Sequence, residues 1–203
     1  MSSIDRTNNE VLLEMKDILK EFPGVKALNH VSLTVKKGTV HALMGENGAG
    51  KSTLMKILVG LYVPTKGEIY YKGKQVHFKS VMDTKKAGIS MIFQEFNQVK
   101  YMMVMENIYL GRETMTRTGC VDYQKMYEDS KRLLEGLGVD LDPKARMADL
   151  TVAKFQLVEI VKAISYDADV IIMDEPTSAL SQTEIEYLLK TVRRLCDQGK
   201  AIV

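Results

Sequence analysis

Three glycines at positions 45, 48 and 50 lead directly into Lys51, Ser52 and Thr53, and this spacing restricts the chain more than any other feature it carries. Thr39 to Met44 ahead of them alternates as a strand does, and Lys51 to Leu61 behind them has helical composition. The segment therefore reads as strand, glycine-rich loop and helix start. Its full run, Gly45, Glu46, Asn47, Gly48, Ala49, Gly50, Lys51, Ser52 and Thr53, satisfies G-x-x-x-x-G-K-[ST]. Without Cβ atoms the glycines allow positive φ and close approach, so successive N–H groups can turn toward an anion. The helix that follows adds unpaired N–H groups and a positive dipole end. Lys51 supplies a cation for β- and γ-phosphates, and Ser52 a hydroxyl for Mg²⁺. A chance match is the alternative, and the strand and helix on either side argue against it.

Charge and composition weigh against several other classes. Twenty-eight Lys and Arg against 26 Asp and Glu leave a formal charge of +2 with no long basic run, so nucleic-acid binding has no electrostatic support. With 45% hydrophobic and 27% charged residues over 203 positions, the chain can bury one substantial core with a subdomain. Apolar runs such as Val170 to Met173 and Tyr101 to Met105 fall well short of the roughly 20 residues of a membrane span. Met1 to Glu10 lacks the apolar region of a signal peptide, which leads to the expectation of a cytosolic chain. Cys120 and Cys196 have no metal-ligand spacing and read as free thiols of a reducing compartment.

Strands are expected at Val11 to Ile18, Val31 to Val35, Thr39 to Met44, Glu68 to Tyr71, Ile89 to Phe93, Val170 to Met173 and Ala201 to Val203. Helical periodicity predicts one amphipathic helix over Asp122 to Leu137, with Tyr123, Met126, Tyr127, Leu133, Leu134 and Leu137 on one face. Another carries Ile185, Leu188, Leu189, Val192 and Leu195, opened by Ser181-Gln182-Thr183-Glu184 in the pattern of a capping box.

The apolar strand Val170 to Met173 delivers two adjacent acids, Asp174 and Glu175, at its C-terminal end. Ligands of open α/β sheets bind at those ends, so the acids would lie beside the phosphate loop if the strands are neighbours. Asp174 would then support Mg²⁺, and Glu175 would orient and deprotonate an attacking water. A solvated turn is the plain alternative for such a pair, and the complete phosphate loop weighs against it.

With both anchors in place, the chain from about Val11 to its end resembles an ATP-binding-cassette (ABC) ATPase domain. Phe22, in Phe22-Pro23-Gly24, matches the family's aromatic loop, which implies stacking on adenine; a core or turn residue is the other reading. Gln94, after the strand Ile89 to Phe93, matches the glutamine loop, which touches Mg²⁺ or the attacking water and links the site to the membrane subunit; a surface amide is its alternative. The segments Lys20 to Leu28, Val40 to Gly48 and Glu106 to Glu113 are similar to the first ATPase domain of ribose- and galactose-type sugar importers.

The resemblance implies an α/β P-loop NTPase with a RecA-like parallel-sheet core, an N-terminal antiparallel β subdomain and a helical subdomain. It makes 1–203 a single ABC ATPase domain, with approximate subdomains at 11–94, 95–165 and 166–203. It further implies ATP and Mg²⁺ as cofactors and a second, C-terminal ATPase domain in the same polypeptide. Transmembrane permease subunits, and indirectly a periplasmic or lipid-anchored sugar-binding protein, follow as partners, with a peripheral location on the cytoplasmic face of the membrane.

Two departures from the family stand out. Its Leu-Ser-Gly-Gly-Gln signature, which clasps the γ-phosphate bound by the opposite domain, appears as Leu150-Thr151-Val152-Ala153-Lys154, adding side chains at Val152 and Ala153 where backbone should approach phosphate. Ser181 replaces the aspartate usual after Ser178-Ala179-Leu180. The chain also stops before the histidine that contacts the γ-phosphate in this family. His30, ahead of a strand, His41, within one, and His77, in a β segment, are expected to be structural or surface groups. Of 13 Met residues, Met102, Met103 and Met105 suit either a docking groove or core filling. The expectation is an ATPase domain that energises monosaccharide import and hydrolyses ATP poorly in isolation. A non-transport ABC ATPase, or a binding module closed by nucleotide without turnover, would instead call for basic insertions, metal-ligand cysteines or a missing catalytic acid.

Overall fold

Buried residues at Leu12, Leu13, Met15, Ile18 and Leu19 line a long strand, β1 (Val11–Phe22), which a tight turn at Pro23 and Gly24 joins to β2 (Val25–Lys36). The computed structural model describes residues 10–92, 99–177 and 180–203. The chain divides into two compact units, one of Met1–Met91, Ala168–Ile172 and Leu195–Val203, the other of Ile92–Asp167 and Met173–Arg194.

In the first unit β1 pairs antiparallel with β2 and with β3 (Lys66–Tyr71), and β3 with β4 (Lys74–Val76), giving the order β2-β1-β3-β4. β1 does not alternate strictly, because Asp17 takes φ 52 and both of its ladders shift register there. Gly67 makes room for this bulge: a Cβ on it would lie 2.6 Å from the carbonyl oxygens of Lys16 and Asp17. β1 and β2 both run longer than the sequence suggests, because polar residues such as Lys20, Glu21, Asn29 and His30 extend them on the exposed side.

A second sheet has the order β5-β6-β7, from β5 (Ile89–Ile92), β6 (Val170–Met173) and β7 (Ala201–Ile202). β6 and β7 are parallel, with Val170 opposite Ala201. β6 is apolar on both faces, with Val170, Ile171 and Ile172 at most 1% exposed, as a strand covered on both sides must be. Each fully buried side chain of this kind contributes about 1.5–3 kcal/mol.

Only part of the expected strand Thr39 to Met44 forms. Val40 bridges Ile202, His41 N–H donates to Ile202 O at 2.8 Å, and Ile202 N–H donates to Thr39 O at 2.9 Å. β7 offers two residues for pairing, so from Ala42 onward the segment has no ladder partner among the described residues, and Met44 is 88% exposed. Helix α1 (Lys51–Leu58) follows the glycine loop, burying Leu54, Met55, Ile57 and Leu58, and ends at the C-cap Val59, followed by left-handed Gly60. Helix α2 (Val81–Ala87) is capped by Ser80, whose hydroxyl accepts from Asp83 N–H, and closes at left-handed Gly88.

The second unit is helical, with α3 (Val104–Ile108), α4 (Tyr123–Leu137), α5 (Val152–Ile164) and most of α6 (Gln182–Asp197). The Asp122 carboxylate caps α4 by accepting from Lys125 N–H at 2.9 Å, and Gly138 ends it at φ 67. Met126, Leu134 and Leu137 are buried as expected, but Tyr123 is 51% exposed while Ser130 is buried. In α6 the buried stripe is narrower than predicted, Leu188, Val192 and Leu195, with Leu189 47% exposed. At the expected capping box the Glu184 carboxylate accepts from Ser181 N–H and from the Ser181 hydroxyl, both at 2.9 Å. Asn107, fully buried, satisfies its amide completely, accepting from Val99 N–H and donating to Val99 O and Met103 O. No described helix is long and apolar enough to cross a membrane.

Candidate nucleotide site

Gly48 and Gly50 stand at φ 85 and φ 89, the left-handed region that glycine alone enters freely. For Gly48 the backbone angle is the whole reason, since nothing lies within 4 Å of where a Cβ would be. Gly50 is doubly required, because a Cβ there would fall 2.5 Å from Ala27 O and 2.7 Å from a Leu28 methyl. The returning strand β2 therefore packs against the end of the glycine loop. Between the glycines Ala49 N–H bonds back to Glu46 O at 3.1 Å, which curls the loop.

Gly50 is also the residue before α1, and the first helical bond runs from Leu54 N–H to its carbonyl at 2.9 Å. The N–H groups of Lys51, Ser52 and Thr53 thus belong to the unpaired first turn. The Lys51 ammonium folds over the loop, donating to Gly45 O at 2.6 Å and Glu46 O at 2.9 Å. Gly45, Glu46, Asn47, Gly48 and Ala49 are exposed, as is Ser52. An open curl of backbone, a helix start without acidic residues in its first turn, and a cation laid across both are what a polyphosphate requires. The donor set fits ATP, with Ser52 available to Mg²⁺.

Phe22, at the tip of the β1–β2 hairpin, is half-buried and meets Tyr62 edge to face, with ring centroids 5.3 Å apart at 77°. Lys20 Nζ lies 4.9 Å from the Phe22 centroid. The ring is therefore held against Tyr62 beside the Pro23-Gly24 turn. Tyr62 carried no periodicity or motif in the sequence, and only the fold reveals its place beside Phe22.

In the second unit, Asp174 and Glu175 follow β6 directly, Asp174 N–H donating to Ile92 O at 3.3 Å. Asp174 is half-buried and Glu175 exposed. Glu175 takes φ 48, an unusual angle for a side chain of this size, immediately ahead of Pro176. A left-handed non-glycine residue costs about 1–3 kcal/mol and such strain clusters at functional positions. Gln94, Ser178 and Ala179 lie outside the described residues.

The Leu150 to Lys154 segment starts α5. Thr151 is its N-cap, the hydroxyl accepting from Lys154 N–H at 3.4 Å. Val152 is 40% exposed at the helix start, whereas Ala153 is 8% exposed. Ala153 therefore packs inward, on the buried face of α5.

The three histidines divide between structural and surface places. His41 Nε2 accepts from Lys36 N–H at 3.0 Å and meets the Thr39 hydroxyl at 2.6 Å, and burial, then the Lys36 charge, hold its pKa below the ordinary value. His30 lies inside β2, not ahead of it, at φ 54 and 2.7 Å from the Asp17 carboxylate. His77 follows β4 and is exposed. Cys120 and Cys196 are unbridged, and burial pushes the Cys196 thiol up. No group of three potential metal ligands occurs among the described residues. Met105 is core at 2% exposure, and Met102 and Met103 are half-buried.

Residues 28–178 match the family model described as ABC transporter. The chain is 54% identical over 196 residues to the putative ribose/galactose/methyl galactoside import ATP-binding protein 2 of Agrobacterium fabrum, covering 97% of this chain and 38% of that protein. It is 48% identical over 202 residues to the galactose/methyl galactoside import ATP-binding protein MglA of Pasteurella multocida, covering 100% of this chain and 40% of the relative. The chain thus spans about two fifths of the length of these curated relatives. Among solved structures, a nucleotide-free ATP-binding cassette from an ABC transporter aligns with a TM-score of 0.81 at 26% identity, over 95% of this chain and 79% of that one. A structure of the ADP conformation of an ATP-binding cassette of an ABC transporter gives 0.81 at 27% identity, over 95% of this chain and 79% of that one.

Proposed function

Since the chain belongs to the ABC transporter family, we propose that it is an ATP-binding and ATP-hydrolysing domain that energises import of a monosaccharide of the ribose or galactose type. The observation that carries the reading is the loop Gly45 to Gly50, open at the start of α1, with the Lys51 ammonium laid over its carbonyls. In the nucleotide-bound domain Lys51 exchanges those carbonyls for β- and γ-phosphate oxygens, and the loop N–H groups hold the same oxygens. Ser52, Asp174 and Gln94 are the residues to hold Mg²⁺, which neutralises charge on the phosphates when bound. Glu175 takes a proton from the attacking water as the γ-phosphate parts from the β-phosphate oxygen. Phe22 stacks on the base.

The names of the relatives support the sugar class, and their length supports a second ATPase domain in the same polypeptide. Permease subunits, and through them a periplasmic or lipid-anchored sugar-binding protein, complete the assembly, with this domain peripheral on the cytoplasmic face. The subdomain division 11–94, 95–165 and 166–203 is part of the same reading. So is a weakened clasp at Leu150 to Lys154, where the Val152 side chain stands 40% exposed at the start of α5. Uptake of labelled ribose and galactose by cells carrying Lys51→Ala in the complete polypeptide tests the assignment. Uptake of at least one sugar should be lost, and undiminished uptake of both, with the variant expressed at normal levels, would refute it.

A further inference from the structure

Tyr62 ends the short run after α1, and that run is tied to the strand carrying Phe22 at several points. Leu61 and Tyr62 N–H groups both donate to Lys56 O, at 2.9 and 3.2 Å, which turns the chain back over the end of α1. Lys20, two residues before Phe22 on β1, donates from Nζ to Val63 O at 2.8 Å. Thr65 N–H donates to Leu19 O at 2.8 Å, and its hydroxyl accepts from Glu21 N–H at 3.1 Å. These bonds set the Tyr62 ring against Phe22 at 5.3 Å and 77°. Lys20 Nζ, besides its carbonyl partner, lies 4.9 Å from the Phe22 ring and 5.9 Å from the Tyr62 ring, and Lys56 Nζ also lies 5.9 Å from the Tyr62 ring.

An aromatic ring that is to stack on a flat base gains most when its plane is fixed in advance, because rotation then need not be frozen on binding. Edge-to-face contact with Tyr62 restrains the ring plane of Phe22, and the Lys20 ammonium favours one arrangement of both π faces. Tyr62 is 36% exposed, so the contact is not explained by burial in a core. The segment also originates from α1, the helix whose first turn is the phosphate site, so the backbone joins the base-side ring to the phosphate-side helix.

We propose that Tyr62 is a positioning residue for the base end of the nucleotide, acting through Phe22, with Lys20 as the cation that holds the pair. The inference rests on the nucleotide-site reading above and deepens it.

Calorimetry on the full chain with two probes, Mg·ATP and Mg·tripolyphosphate, tests it, each variant first checked by circular dichroism. Tripolyphosphate has the phosphates without the base. Tyr62→Ala should bind Mg·ATP about 3- to 10-fold more weakly, the scale of one lost aromatic pair, while its affinity for Mg·tripolyphosphate stays at the wild-type value. Tyr62→Phe, which keeps the ring, should restore Mg·ATP affinity. Unchanged Mg·ATP affinity in Tyr62→Ala would overturn the inference, and so would equal weakening toward both probes, which would make Tyr62 a support of α1 alone. If Lys51→Ala leaves both probes unaffected, the phosphate-site reading itself fails, and the positioning role falls with it.

Discussion

A Cβ on Gly50 would lie 2.5 Å from the carbonyl oxygen of Ala27, a separation at which something must move. The contact ties the glycine loop to β2, and Gly50 holds φ 89 at the same point. Gly50→Ala meets both penalties. The left-handed angle alone costs about 1–2 kcal/mol for an L-residue, and displacing Ala27 backbone adds to it. Thermal melting should show a clearly lowered Tm for Gly50→Ala, whereas Gly73→Ala, at φ 74 with nothing within 4 Å of its Cβ, should show only the cost of the angle. Equal shifts in the two variants would mean that the loop does not depend on its packing against Ala27.

Glu175 is expected to separate binding from turnover. It is exposed, strained at φ 48, and contributes no described bond that holds the loop or helix of the phosphate site. Glu175→Gln in the complete polypeptide should retain Mg·ATP binding while steady-state hydrolysis falls by about 100-fold or more, the scale of a lost general base. Loss of binding in parallel with turnover would move Glu175 to a metal-holding or folding role.

Stability should fall at both ends of the pH scale through one cluster in the first unit. Burial raises the Asp169 pKa, but the Lys72 hydrogen bond at 2.6 Å and the Lys200 charge outweigh it and leave the carboxyl below its ordinary value of 3.8. A depressed carboxylate stabilises the fold fully above that ordinary value, and the contribution is lost as pH falls through the lower folded value. Tyr71, whose hydroxyl faces Asp169 at 3.4 Å, is pushed up to about 12 by burial. A raised tyrosine contributes below pH 10 or so, and that part is lost as pH rises toward 12. Denaturant midpoints measured from pH 2 to 6 should lose part of their slope below about pH 4 in Asp169→Asn. An unchanged slope would show that the Lys72 and Lys200 contacts do not act on Asp169 in solution.

The phosphate loop was readable because its chemistry and its backbone requirement fall on the same residues: Gly48 and Gly50 are glycine for φ, and Gly50 also for space. β6 was readable to the residue, since an apolar run ending in two acids has few alternatives. Thr39 to Met44 was overread, because alternation marks a segment able to pair and is silent on whether β7 reaches it. Tyr123 and Ser130 on α4, like Leu189 on α6, show the other limit: helical spacing gives a face, and the neighbouring elements decide how wide a part of it is covered. Tyr62 was invisible for a related reason. Its importance comes from Lys20 and Thr65 drawing its segment to β1, a set of contacts more than 40 residues apart in sequence.

The most direct measurement of the central claim is calorimetric titration of the folded chain with Mg·ATP, wild type against Lys51→Ala. Removing the cation from a phosphate site should weaken binding by at least about 10-fold, since a charge-assisted hydrogen bond of this kind contributes about 1.5–3 kcal/mol. Saturable binding in the wild type that is lost or strongly weakened in Lys51→Ala is the predicted result. Equal affinity in the two proteins, both folded by circular dichroism, would contradict the assignment of Gly45 to Thr53 as the nucleotide site.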